Sequence, residues 1–132
     1  MTDEKVLIEK LISIMPRSKN QINKPFESDA EILDCNGKNL LINVDSFSEE
    51  DMFITSSPEV LGHNIAVAAL SDIYASGGKP LYYAHSLTAD KYFTDKYTER
   101  FYKGIKEVLN EADVSFIGGD FGRGKTWQCT AT

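Results

Sequence analysis

Apolar positions recur at helical spacing in three stretches of the chain. In the first, Leu7, Leu11 and Ile14 repeat every three to four residues, Thr2 stands at an N-cap position and Pro16 follows. An amphipathic helix is therefore predicted over Thr2 to Met15. The second begins at Ser57 with Pro58 in its first turn and runs through Leu61, Ile65, Ala68 and Ile73 to Gly77-Gly78, with Pro80 just beyond, so start and stop signals agree. The third, Thr94 to Ala112, sets Tyr97, Phe101, Ile105, Val108 and Leu109 on one stripe opposite Lys103, Lys106 and Glu107.

Between these lie shorter runs of strand character. Ala30 to Leu33 and Leu40 to Val44 flank Asn36-Gly37, a hairpin signal because both central turn positions require positive φ. Leu81 to Ala89 alternates and is rich in Tyr, and Val114 to Ile117 and Thr126 to Thr132 are strand-like. The glycine-rich Gly118 to Lys125 reads as a hairpin loop between that last pair. The order helix, strand, strand, helix, strand, helix, strand, strand predicts an α+β sandwich: one domain over residues 1–132, with a mixed sheet and helices packed on one face. The final residues stop inside a strand pattern without turn, cap or polar tail, so the chain is expected to continue in a longer protein.

The second helix is apolar on two faces, through Leu61, Ile65, Ala68 and Ala69 on one and Val67 and Leu70 on the other, which predicts a sandwiched helix and a largely buried Asp72. A buried carboxylate needs a cation or hydrogen bonds. Asp29 precedes the first predicted strand, Asp45 ends the second, and Asp120 follows Gly118-Gly119 at the end of a later one. Strand ends are where α/β folds place ligands. Mg²⁺ prefers hard oxygen ligands and is shared between one or two carboxylates and substrate phosphates, so several Asp near a phosphate-sized gap fit that chemistry. Taken singly, each aspartate has a plainer role: Asp29 and Asp45 in turns or caps, Asp72 bonded to nearby backbone.

Composition narrows the field. The 132 residues are 42% apolar, enough for one real core. A formal charge of −6 with no Lys/Arg block gives no electrostatic footprint for nucleic acid. No run approaches the roughly twenty apolar residues of a membrane span, and the acidic N-terminus is unlike a secretory signal, so a cytoplasmic protein is expected. Cys35 and Cys129 are isolated and read as reduced thiols. Gly119 to Thr126 matches G-x-x-x-x-G-K-[ST], but a phosphate loop of that kind opens a helix, and Trp127 to Thr132 looks extended. His63 and His85 are single imidazoles without triad partners, and Ser71 has no assigned base, so no covalent catalyst is identified.

Read together, these segments resemble the superfamily that holds aminoimidazole ribonucleotide synthetase, selenophosphate synthetase, a hydrogenase-maturation dehydratase and thiamine-monophosphate kinase. Ala69 to Pro80 is similar to its helix motif around Ser-Asp, and Ile117-Gly-Gly-Asp120 with Arg123-Gly124 to the thiamine-monophosphate kinase version of its glycine motif. Ser28-Asp29-Ala30 resembles the early Asp-Asp motif and Val44-Asp45 the strand-end Thr-Asp motif. The resemblance implies an N-terminal domain that pairs with its copy through the sheet as a homodimer, binding ATP, Mg²⁺ and a small phosphorylated substrate. By matching position it implies Asp29, Asp45, Asp72 and Asp120 as metal ligands, and Tyr102, Gly118, Gly119, Asp120 and Arg123 as nucleotide contacts. The implied reaction is direct in-line phosphoryl transfer. The chain departs from the family pattern at Ser28, in place of the first Asp of the doublet, at Val44, in place of a Thr, at Phe121-Gly122, in place of a Thr pair, and at Met52, in place of a substrate-side His before Phe53, so the metal set survives better than the substrate set. Another acceptor, or a noncatalytic nucleotide-binding or dimerisation module, is the alternative these departures leave open.

Overall fold

The computed structural model describes residues 3–51 and 57–132, so Thr2, Met52 and Phe53 lie outside the described residues. Helix α1 (Glu4–Ile14) precedes a hairpin of β1 (Glu31–Cys35) and β2 (Lys38–Ile42). Next come β3 (Asp45–Ser48), α2 (Pro58–Ala75), β4 (Tyr82–Ala89), α3 (Asp95–Glu111), β5 (Ser115–Arg123) and β6 (Gln128–Ala131). The hairpin is a separate two-stranded sheet, while the main sheet has the order β3-β6-β4-β5. In it β4 and β5 are parallel, joined through the crossover helix α3, and the other pairs are antiparallel. The sheet is thus mixed, and α2 and α3 pack against each other over one face.

Local chemistry explains most element ends. Asn36 and Gly37 adopt φ of 56° and 79°, as a two-residue hairpin turn demands, and Asp34 Oδ1 accepts from the Gly37 amide at 2.7 Å. At the C-terminus of α2, Gly77 takes φ 78°, its amide reaches the Tyr74 carbonyl and that of Gly78 the Ile73 carbonyl, a complete Schellman closure. Asp3 caps α1 by accepting from the Lys5 amide, and Thr94 caps α3. The core lies between sheet and helices: Leu61, Ile65, Phe101 and Ile105 meet Tyr83, Leu87, Phe93 and Cys129, all nearly sealed from solvent.

Several expectations need correction. The run from Leu40 to Val44 is not one strand: β2 stops at Ile42, and Asp45 opens the separate strand β3 instead of closing β2. Residues 118 to 123 do not belong to the hairpin loop expected over Gly118 to Lys125. They continue β5, because Gly119 can lie where a side chain could not: a Cβ there would sit 1.8 Å from the His85 carbonyl oxygen. Helix α2 is not enclosed all round, since Val60, Val67 and Tyr74 face outward, and Asp72 is half-buried with His63 exposed. Residues after Lys125 form strand β6 and not a helix, which removes the phosphate-loop reading. Both cysteines are free, Cys35 exposed and Cys129 buried. Among the described residues no helix is long and apolar enough to cross a membrane.

Candidate functional site

Asp45 and Asp72 meet at the junction of β3 and α2. Asp45 opens β3, the edge strand beneath α2, and Asp72 lies in the last turn and a half of that helix. Their carboxyls are within hydrogen-bonding reach. Burial, and then the charge of Asp72, push the Asp45 carboxyl up to about 6. Asn43 is 7% exposed and ties the pair to the helix. Its Nδ2 donates to the Ala69 carbonyl at 2.9 Å and lies 3.5 Å from Asp45 Oδ2. Asn43 escaped the motif reading, although its i, i+2 spacing to Asp45 was a signal that both side chains would share a face. Beside the pair a cleft of about 580 Å³ runs under the hairpin, lined by Leu41, Ile42, Asn43, Ile73 and Tyr83 among others.

Asp29 sits near this junction without joining it. The Ser76 hydroxyl, one turn beyond Asp72, contacts Ser28 Oγ at 2.9 Å and accepts from the Ala30 amide at 3.1 Å, which fastens the segment carrying Asp29 to the end of α2. The Asp29 side chain is exposed. Asp120 is elsewhere. Asp45, Ala131, His85 and Gly119 form one row across the sheet, and Ser46, Thr130, Ser86 and Asp120 the next. Side chains alternate between faces. Asp45 therefore points to the helices, and Asp120 lies with Ser86 on the uncovered face. The two strands are three spacings apart, roughly 14 Å. Among the described residues no group of three or more His, Cys, Asp or Glu side chains is arranged to hold a metal ion.

The nucleotide candidates gather on the opposite edge strand, β5. Gly118 and Gly119 take φ of 116° and 152°, and a Cβ on Gly118 would meet open space. Nearby, the Tyr102 hydroxyl lies 2.7 Å from His85 Nε2. His85 is 3% exposed, and burial pushes its imidazole down to about 4. Arg123 is engaged at the far end of the strand, donating to the Phe93 carbonyl at 2.7 Å and standing 3.6 Å from Asp95.

A mixed four-stranded sheet backed by two helices, with a carboxylate pair on one edge and a glycine-bearing strand on the other, defines an α+β domain of a particular kind. The model for AIR synthase related proteins, N-terminal domain, matches residues 27–132, and the chain belongs to that family. It is 30% identical over 113 residues to thiamine-monophosphate kinase of Bacillus subtilis, covering 82% of this chain and 35% of that protein. It is 28% identical over 125 residues to thiamine-monophosphate kinase of Methanocaldococcus jannaschii, covering 92% and 39%. The chain thus spans little more than a third of these relatives. A solved structure described as AaThiL complexed with AMPPCP and TMP superposes with a TM-score of 0.80 at 25% identity over 96% of this chain and 38% of that one. The structure of tt0281 from Thermus thermophilus, 22% identical, shares the fold with a TM-score of 0.81 over 98% of this chain and 42% of that one.

Proposed function

We propose that this chain is the nucleotide- and metal-handling N-terminal domain of a cytoplasmic, Mg²⁺/ATP-dependent phosphotransferase. Its reaction would carry the terminal phosphoryl group of ATP to the phosphate of thiamine phosphate, giving thiamine diphosphate and ADP. The observation that carries the reading is the contact between Asp45 and Asp72, two carboxyls whose mutual repulsion a divalent cation relieves. Mg²⁺ is commonly held by one or two carboxylates together with substrate phosphates, so two suffice for a first ion. Bound there, it would neutralise charge on the phosphates.

The chain's own residues then position the reactants. Asp45 and Asp72 would hold one ion, with Asn43 fixing the pair. Asp29 and Asp120 would be ligands to further ions along the phosphates. Gly118 and Gly119 let backbone approach the triphosphate, Tyr102 would contact the nucleotide, and Arg123 adds positive charge at the end of β5. The separation of Asp120 from Asp45 within one chain favours a site completed by other parts of the assembly. The uncovered sheet face, with its hydroxyl row Ser46, Thr130 and Ser86, is the surface through which two copies would pair.

Calorimetric titration with AMPPCP tests this. Binding is expected with Mg²⁺ and to be lost or much weaker without it, and Asp72→Asn should weaken it while leaving the fold intact. Binding indifferent to Mg²⁺ would end the proposal, and unchanged metal dependence in Asp72→Asn would remove Asp72 from the site.

A further inference from the structure

Two segments that carry acids are tied to the same stretch of α2 by polar side chains. From the β3 side, the buried Asn43, two residues before Asp45, donates to the carbonyl of Ala69, three residues before Asp72. From the other side, the half-buried Ser76 holds the segment of Asp29. The Ser76 amide bonds to the Asp72 carbonyl at 3.0 Å, so Ser76 stands one turn beyond Asp72 on the same side of α2, about 6 Å along the axis.

The hold falls on both flanks of Asp29. Ser76 Oγ lies 2.9 Å from Ser28 Oγ and accepts from the Ala30 amide at 3.1 Å, and Ser28 Oγ lies 3.4 Å from that same amide. A hydroxyl has one proton and two lone pairs, so the two serines can pair with each other while their oxygens still take the amide. Ala30 is 2% exposed, which seals this side of the turn, while the Asp29 side chain between the two held residues is exposed. Ser28 stands where the family pattern has the first Asp of the doublet. A neutral hydroxyl bonded to another hydroxyl brings no charge to a cation; what it contributes is the placement of the backbone beside it.

We infer that Ser28 and Ser76 are positioning residues: their paired hydroxyls latch the Asp29 turn to the end of α2 and so present Asp29 to the divalent cations beside the Asp45–Asp72 pair. This rests on the proposed metal reading and adds what sets the third carboxylate. An acid on an unlatched turn has to be ordered as the cation binds, and that entropy is lost from the affinity. The latch orders it beforehand, through a hydroxyl at a position where the family pattern has a ligand.

The experiment measures the free Mg²⁺ needed for half-saturation of AMPPCP binding, by calorimetry at fixed nucleotide. Ser76→Ala removes the hydroxyl that reaches both flanks and is expected to raise that concentration roughly tenfold, the low end for groups that orient metal ligands. Ser76→Thr keeps the hydroxyl and should retain the wild-type requirement; a Ser76→Thr protein as impaired as Ser76→Ala would show that the hydroxyl is not what acts. A double-mutant cycle separates positioning from support of the fold. In an Asp29→Asn background, Ser76→Ala should change the Mg²⁺ requirement no further. An equal rise in both backgrounds, or no rise in either, overturns the latch. Wild-type binding that depends on Mg²⁺ but is untouched by Asp29→Asn also overturns the latch, and leaves the Asp45–Asp72 reading standing. Wild-type binding that is absent or indifferent to Mg²⁺ overturns both.

Discussion

Gly104→Ala should separate the two helices on which both halves of the site depend. Gly104 of α3 and Gly62 of α2 pack backbone to backbone: a Cβ on Gly104 would lie 1.9 Å from the Glu59 carbonyl oxygen and 2.9 Å from the His63 nitrogen, and one on Gly62 would lie 2.0 Å from the Phe101 carbonyl oxygen. No rotamer relieves this, because the obstructing atoms are main chain. Restoring ordinary contact requires the helices to part by roughly 1.5 Å, enough to forfeit much of the dispersion between facing atoms. The residues that lose contact include Leu61, Ile65, Phe101 and Ile105, each 2% exposed or less. Overpacking of this kind costs about 1–3 kcal/mol, occasionally more, and alanine's better helix propensity returns at most about 1 kcal/mol. A net loss of about 2 kcal/mol corresponds, for a domain of this size, to a fall in Tm of roughly 6–12 °C. Thermal and urea unfolding followed by far-ultraviolet circular dichroism measure it. Gly122→Ala is the control, since nothing lies within 4 Å of the added carbon and its φ is not positive. A Gly104→Ala protein that melts at or above the wild type would refute the close-packing argument.

The remaining predictions concern the site. Asp45→Asn should raise the Tm of the metal-free protein near pH 8, because it removes a carboxyl whose ionisation the fold disfavours, and should abolish any stabilisation by Mg²⁺; an unchanged response to Mg²⁺ would exclude Asp45 as a ligand. The raised Asp45 pKa means that the native state holds more protons than the unfolded chain between about 4 and 6, so this group's contribution falls as pH rises through that window. His85 acts in the opposite sense: held neutral down to about 4, it stabilises above the imidazole's unfolded pKa and loses that contribution as pH falls. In metal-free His85→Gln, stability should therefore decline with rising pH between 4 and 6 more steeply than in the wild type, and parallel profiles would contradict the assignment. Gly119→Ala should disrupt the pairing of β4 with β5, visible as lost amide protection at His85 and Gly119 in hydrogen exchange.

What the sequence determined by itself is local. The period of apolar residues, Pro58 at a helix start, Gly77 at its end and Asn36-Gly37 at a turn each act through the backbone within a few residues, and α2, α3 and the hairpin lie where these signals placed them. The aspartates and the glycine pair were equally visible as residue types, and the family they pointed to is the one the chain belongs to. Tertiary structure decided the rest. Strand order, which no local signal encodes, places β3 and β5 on opposite edges, so Asp45 meets Asp72 while Asp120 lies across the sheet on its other face. The break between Ile42 and Asp45 came from strand partners: β2 pairs in the hairpin, β3 with β6. The burial of Asp72 was overestimated because α2 is covered on one side by α3 and the sheet, leaving Val60, Val67 and Tyr74 in solvent. The extension of β5 through its glycines followed from a neighbouring strand close enough to require a residue without Cβ. Sequence periodicity records which side chains avoid water; which of them meet depends on elements distant along the chain.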